Sequence, residues 1–282
     1  MPRAATKGNV KFVATRARAR SAIAIAAHPD DIEFAMAGTL VRLRQAGYET
    51  HYFNLLTGHC GSVTDNAART RTRRRREARR AAAILGAIWH PPIADDLEIV
   101  YSAANLRRVA AVIRQARAAI VLTHAVQDYM EDHMIAGRLA VTAAFAHGMR
   151  NFRTTPARPP YADDVTVYHA MPHGLQDGLR RRVTAGAFVN TSAVQAIKHQ
   201  ALSAHESQQD WLQASQGMNS YLQAMTDMST AVGRLSGRFT HAEGWRRHLH
   251  LGFSATEIDP LKDALGDDYL VNEAYERGLR GT

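Results

Sequence analysis

A single cysteine in 282 residues excludes an intrachain disulfide and any zinc module built from several thiolates. It is compatible with a reducing compartment, and a cytoplasmic location is the expectation. No apolar run approaches the ~18 residues of a membrane helix, so no membrane span is expected. Gly-rich phosphate loops are missing as well, which argues against a nucleotide-dependent enzyme. Repeats with a period of about 20–50 residues are absent, which removes solenoids and propellers. A secretory leader is suggested only superficially. Basic residues 3–20 precede the apolar run Ala22–Ala27, but that run is shorter than the about 7–15 residues of a signal core. It also leads directly into His-Pro-Asp-Asp, a poor place to cut, so it reads as a buried strand.

What is present is an ordinary globular composition, 46% apolar and 22% charged, which excludes a disordered chain. The length fits one large α/β domain or two small ones. Charge is unevenly placed. Residues 1–80 hold sixteen Lys and Arg against six Asp and Glu, and the remainder is close to balanced at nineteen against twenty. A basic front could attract nucleic acid, anionic lipid or an acidic substrate. Its densest part, Arg69–Arg80, has no interleaved aromatics and no recognised module, so a solvated helix face is expected rather than a nucleic-acid surface. Trp89, Trp211 and Trp245 read as core or interface, and Cys60 as a residue near a site rather than a ligand. Fourteen histidines invite a search for metal ligands.

Periodicity along the chain predicts strand Ser21–Ala27, helix Asp31–Ala46 ending at Gly47, strand Glu49–Thr57 and helix Arg69–Leu85 ending at Gly86. Helix Asn105–Ala118, strand Ala119–Thr123 and helix Glu131–Gly148 follow. The Pro-rich stretch 151–163 reads as a loop. Val165–Ala170 and Ala187–Val189 read as short strands, and Ser192–Gln213 as one long helix. Alternating strands and helices in the first half imply a parallel, doubly wound sheet.

Two polar turns carry the chemistry. His28-Pro29-Asp30-Asp31 lies where the first strand gives way to a helix, the edge at which open parallel sheets bind ligands. His28 and Asp31 could converge on a metal such as Zn²⁺, leaving Asp30 free as a base. The same residues also read as a plain helix start, with Asp30 and Glu33 as capping carboxylates. Asp128–His133 occupies a corresponding turn after a later strand. His133 could supply a third ligand, leaving one coordination position open, as in catalytic zinc sites. Alone, it would read as a histidine in the first turn of a helix.

Ala27-His28-Pro29-Asp30-Asp31 and Asp132-His133-x-x-x-Gly137-Arg138 resemble the PIG-L/LmbE-like family of zinc-dependent de-N-acetylases. Supporting similarities are Thr57-x-x-x-Gly61, Arg74-x-x-Glu77 with Ala81-Ala82-x-x-Leu85-Gly86, Asp95, and Lys198-x-x-Ala201-Leu202-x-x-His205-x-Ser207-Gln208. The resemblance covers roughly residues 21–210 and implies an α/β, Rossmann-like, mostly parallel sheet with helices on both faces and a helical C-terminal elaboration. The implied organisation is a basic lead-in (1–20), a deacetylase core (21–215) and a C-terminal extension packed on it (216–282). It further implies zinc held by His28, Asp31 and His133, Asp30 as general base, and Arg74 and Asp95 as contacts to a small N-acetylated substrate. The chain departs from the family where a histidine often helps stabilise the oxyanion, since Met130 stands there. His205 is the first substitute expected on the catalytic side, with His124 and Tyr129 next; Tyr129 is also expected at the substrate. The implied activity is removal of an N-acetyl group from an amino sugar or related compound. Rival expectations are a polyanion-binding protein with a structural metal site and a metal-dependent hydrolase of a non-sugar amide. A homo-oligomer is expected, because a basic front and a near-neutral remainder offer unlike surfaces.

Overall fold

The computed structural model describes residues 20–216 and 221–279, so the basic lead-in, Arg20 apart, lies outside the described residues. In chain order the first half comprises β1 (Ser21–Ala26), α1 (Asp31–Ala35), α2 (Ala37–Gln45), β2 (Glu49–Asn54), α3 (Ala67–Leu85) and β3 (Ile88–Trp89). It continues with α4 (Ala103–Ala116), β4 (Ala118–Thr123), α5 (Glu131–Phe145) and β5 (Thr166–Ala170). The second half adds β6 (Ala187–Asn190), α6 (Gln195–Leu202), α7 (Glu206–Gln216), α8 (Tyr221–Ser236), β7 (Ala242–Arg247), α9 (Pro260–Leu265), β8 (Tyr269–Val271) and α10 (Glu273–Leu279).

Among the described residues the strands form one sheet in the order β3-β2-β1-β4-β5-β7-β6-β8. The first five are parallel, and β7, β6 and β8 join antiparallel. Every residue of β1 is buried, as expected for a central parallel strand covered on both faces. Its alternation divides the core. Ala22, Ala24 and Ala26 pack with Leu40, Ala81 and Leu85 of α2 and α3. Ile23 and Ile25 pack with Val109, Ile113 and Leu139 of α4 and α5. Strand order reverses between β1 and β4, which opens a crevice at their carboxyl ends. No described helix is long and apolar enough to cross a membrane.

Local signals set the helix ends closely. Asn66 caps α3 by accepting from Arg69 N, and Gly86 ends it at φ 69°. Ser102 caps α4 by accepting from Asn105 N. Larger differences from the sequence reading arise where distant groups intervene. The single helix expected over Asp31–Ala46 is two, broken at Met36. The buried Glu243 carboxylate accepts from Gly38 N (2.8 Å) and Thr39 N (2.7 Å), supplying the start of α2 with acceptors. Likewise the helix expected over Ser192–Gln213 stops at Leu202 and resumes at Glu206. The segment 216–282 is not an extension packed on a finished core, nor only helical: β7 pairs with both β5 and β6 inside the sheet.

Glu243 is balanced by Lys198, whose Nζ lies 2.6 Å away with both side chains buried. Lys198→Met would strand that carboxylate in the interior, so a stability loss of about 3–5 kcal/mol is expected in urea denaturation. Arg80→Ala, which opens an exposed pair with Glu206, should leave the midpoint unchanged. A loss below about 1 kcal/mol for Lys198→Met would show that the two backbone amides hold Glu243 unaided.

Candidate active site

The His124 side chain ties the carboxyl ends of β1 and β4 together. His124 Nε2 accepts from Ala27 N at 2.8 Å, so that nitrogen carries no proton, and burial holds the imidazole below its ordinary pKa. Asn54 donates to His28 O. His28 N in turn donates to Asp31 Oδ2 at 2.7 Å, which orients that carboxylate.

His28, Asp31 and His133 converge, with one donor atom from each within 4.8 Å of the others. His28 Nδ1 lies 3.4 Å from Asp31 Oδ2, and His133 Nε2 lies 3.4 Å from Asp31 Oδ1. These separations exceed a good N–H···O bond. Each is of the order of the ~3.3–3.4 Å between two donors on a zinc ion, with one histidine facing each oxygen of Asp31. The outward nitrogens are held too. His28 Nε2 is 3.2 Å from Asp132 Oδ2, and His133 Nδ1 is 3.0 Å from Asp128 Oδ1. Carboxylates behind ligating imidazoles fix the tautomer and raise donor strength, so the residues present fit a zinc ion. Burial opposes charge on both rings, yet the neighbouring carboxylates outweigh it and raise His28 to about 9 and His133 to about 10.

Asp30 sits at φ 108°, a left-handed conformation that costs energy for a residue with a side chain. It occupies the N-cap position of α1, but its side chain makes no capping bond. The carboxylate instead accepts from the Tyr221 hydroxyl and lies 3.9 Å from Arg74. Burial raises its pKa; Arg74 pulls it back and Asp31 adds to the rise. The helix-start reading of Asp30 therefore fails at the side chain.

Arg74 is buried on α3 and donates to Pro29 O (2.8 Å) and Gly58 O (3.3 Å). Gly58, at φ 74°, leaves room for it, since a Cβ there would lie 2.5 Å from the guanidinium stem. Both Arg74 and Tyr129 line a cavity of about 590 Å³ that also contains His28, Asp30, Asp31 and His133. Tyr129 meets His133 edge-on at 5.5 Å.

Two expected site residues are placed elsewhere. Asp95 does not line the cavity; Arg71 and Thr57 occupy its carboxylate. Its neighbour Asp96 does line it, while accepting from Gly58 N and Cys60 N. His205 is neither a surface histidine nor a donor within reach of a substrate. It is fully buried in the break between α6 and α7, 3.2 Å from Glu33, and does not line the cavity. The break is what turns it inward. His173, which follows β5, lines the cavity and was not anticipated; nor was Tyr221, which no local pattern connects to Asp30. Asp128 and Asp132 had a visible signal, two acids within five residues of His133. Trp211 lines the cavity, whereas Trp245 is core. The arginine run is dispersed: Arg71 pairs with Asp95, Arg80 with Glu206, and Arg75 and Arg79 lie over Trp89.

Residues 23–144 match the family described as PIG-L, GlcNAc-PI de-N-acetylase. Over 196 residues the chain is 28% identical to diacetylchitobiose deacetylase of Thermococcus kodakarensis, spanning 67% of this chain and 70% of that protein. Over 165 residues it is 30% identical to 4-oxalmesaconate hydratase of Pseudomonas putida, spanning 55% of this chain and 62% of that one. Its fold is similar to that of N,N'-diacetylchitobiose deacetylase from Pyrococcus horikoshii, with a TM-score of 0.67 at 20% identity, over 86% of this chain and 89% of that chain. His28, Asp30, Asp31 and His133 all fall within the segment that matches the PIG-L family model.

Proposed function

We propose that this chain is a zinc-dependent hydrolase that removes the N-acetyl group of an amino sugar or a related small N-acetylated compound. One observation carries the reading: a buried carboxylate, Asp30, stands free of any capping bond beside a three-donor cluster on the wall of one cavity. Bound at His28, Asp31 and His133, zinc would supply Lewis acidity and a water of lowered pKa. Asp30 takes the proton of the attacking water as the water oxygen bonds to the acetamide carbon. It then delivers that proton to the amine nitrogen as the C–N bond breaks, releasing acetate. Tyr221 and Arg74 hold the carboxylate in place through both transfers. Met130 offers no hydrogen-bond donor, and His124 has given Nε2 to the backbone. Tyr129, edge-on to His133, and His173, next to Tyr129, line the cavity and serve the carbonyl oxygen in this reading. A cytoplasmic setting and a homo-oligomeric assembly belong to the same reading.

Hydration of an unsaturated polycarboxylate is the second reading, favoured by the identity to the hydratase. The lining speaks against it. Among the described residues the cavity is lined by one arginine and no lysine, against Asp30, Asp31, Asp96, Asp128 and Asp177. A polycarboxylate would meet an excess of carboxylates there, five against Arg74 and the imidazoles of His28 and His133, which a neutral acetamide would not feel. The deciding experiment loads the purified protein with zinc and measures acetate release from N-acetylglucosamine, diacetylchitobiose and N-acetylated amino acids. The expected result is release from the sugars that disappears on chelation. No acetate from any of them, with water addition to 4-oxalmesaconate, would establish the second reading.

A further inference from the structure

We infer that the cavity contains a subsite for an apolar substituent of the substrate, an alkyl chain or aryl ring, against Phe34, Met171, Leu212 and Met228. The inference rests on the hydrolase reading of the same cavity and extends it to the kind of substrate taken.

These four side chains come from four parts of the chain: α1, the segment after β5, α7 and α8. All line the cavity, and Phe34, Leu212 and Met228 are only half-buried. None offers a hydrogen bond. Phe34 follows Asp30 by four residues on the helix that begins there, so this wall starts one turn from the proposed base. A group resting on it is attached close to the reacting amide rather than at a remote end of the substrate. Phe34 is held edge-on to His173 at 5.4 Å and tilted against Tyr221 at 5.2 Å, with the Tyr221 hydroxyl on Asp30.

Asp96, Asp128 and Asp177 of the polar lining come from other segments, and Gln208 stands on α7 one turn before Leu212. Sugar hydroxyls find partners there. A hydroxyl pressed onto the Phe34–Met228 wall would lose its water and gain nothing in return. A methylene in the same place gains up to about fourfold in affinity. Methionines suit this task, because their unbranched side chains adapt to chains of different length.

The apolar group could enter as the N-acyl chain or as the aglycone, and the test separates the two. Zinc-loaded full-length protein is titrated calorimetrically with straight-chain hydroxamic acids from two to eight carbons, which extend on the acyl side. In parallel, methyl, butyl, hexyl and phenyl glycosides of N-acetylglucosamine extend on the aglycone side. The expected result is that one series tightens by about two- to fourfold per added methylene over its first members. Met228→Asn should flatten that slope, and Met228→Trp should move the optimum to shorter chains, with zinc content confirming that each variant is folded. Flat series, absence of binding in both, or an unaltered slope in both variants would overturn the inference. A normal slope without acetate release from any acetamide would overturn the hydrolase reading instead. Acetate release with flat series would remove the subsite alone.

Discussion

Asp30→Asn is expected to retain zinc and to lose acetate release by about 10²–10⁴-fold, the usual contribution of a positioned acid or base. The substitution isolates chemistry from folding unusually well. Asparagine has the same shape and is among the residues that tolerate a positive φ, so the 108° backbone angle can persist. Its amide oxygen can still accept from Tyr221, which keeps α8 attached to the turn. What it cannot do is take a proton from water and return it to the leaving amine. Acetate release and metal content are measured on the same preparation. Parent-like turnover would reduce Asp30 to a structural residue.

Removal of a ligand has a different signature. In His28→Ala or His133→Ala, zinc content should fall from about one per chain to well below that, with activity falling in parallel. Two donors hold zinc poorly, and each truncation also strands carboxylates. His133→Ala leaves Asp31 and Asp128 without their shared imidazole, and His28→Ala does the same to Asp132. The supporting carboxylates should show a smaller version of the same effect. Asp128→Asn and Asp132→Asn are expected to weaken zinc binding by about 10–100-fold, as second partners of ligating histidines do. Elemental analysis after dialysis against a weak chelator reads both tiers. Full zinc retention in both alanine variants would sink the ligand assignment.

The two tiers of residues also differ in how visible they were beforehand. His28, Asp30 and Asp31 sit within four positions at the end of β1, and His133 sits at the start of α5 after β4. Strand-to-helix turns at neighbouring parallel strands must face one edge of the sheet, so the convergence of these residues follows from local pattern and topology. Arg74 was indicated only by the resemblance of Arg74-x-x-Glu77 to the family pattern. The supporting layer was not. Tyr221 reaches Asp30 across 191 residues, and Glu243 caps α2 from more than 200 residues away. Asp95 and Asp96 are adjacent in sequence and equal in chemistry; only the pairing with Arg71 decides which one is drawn away from the cavity.

By itself, then, the sequence determined the alternation of strands and helices, the burial of β1 on both faces and the pair of turns bearing the donors. All of these rest on periodicity and caps that act over a few residues. Tertiary structure alone decided that β7 enters the sheet between β5 and β6, that two long helices break, that His205 turns inward to Glu33, and that Asp30 is released from capping. The physical reason is common to these outcomes. A buried charge or an unpaired backbone amide must find a partner wherever the fold provides one, and here those partners lie scores to hundreds of residues away, beyond the reach of any local pattern.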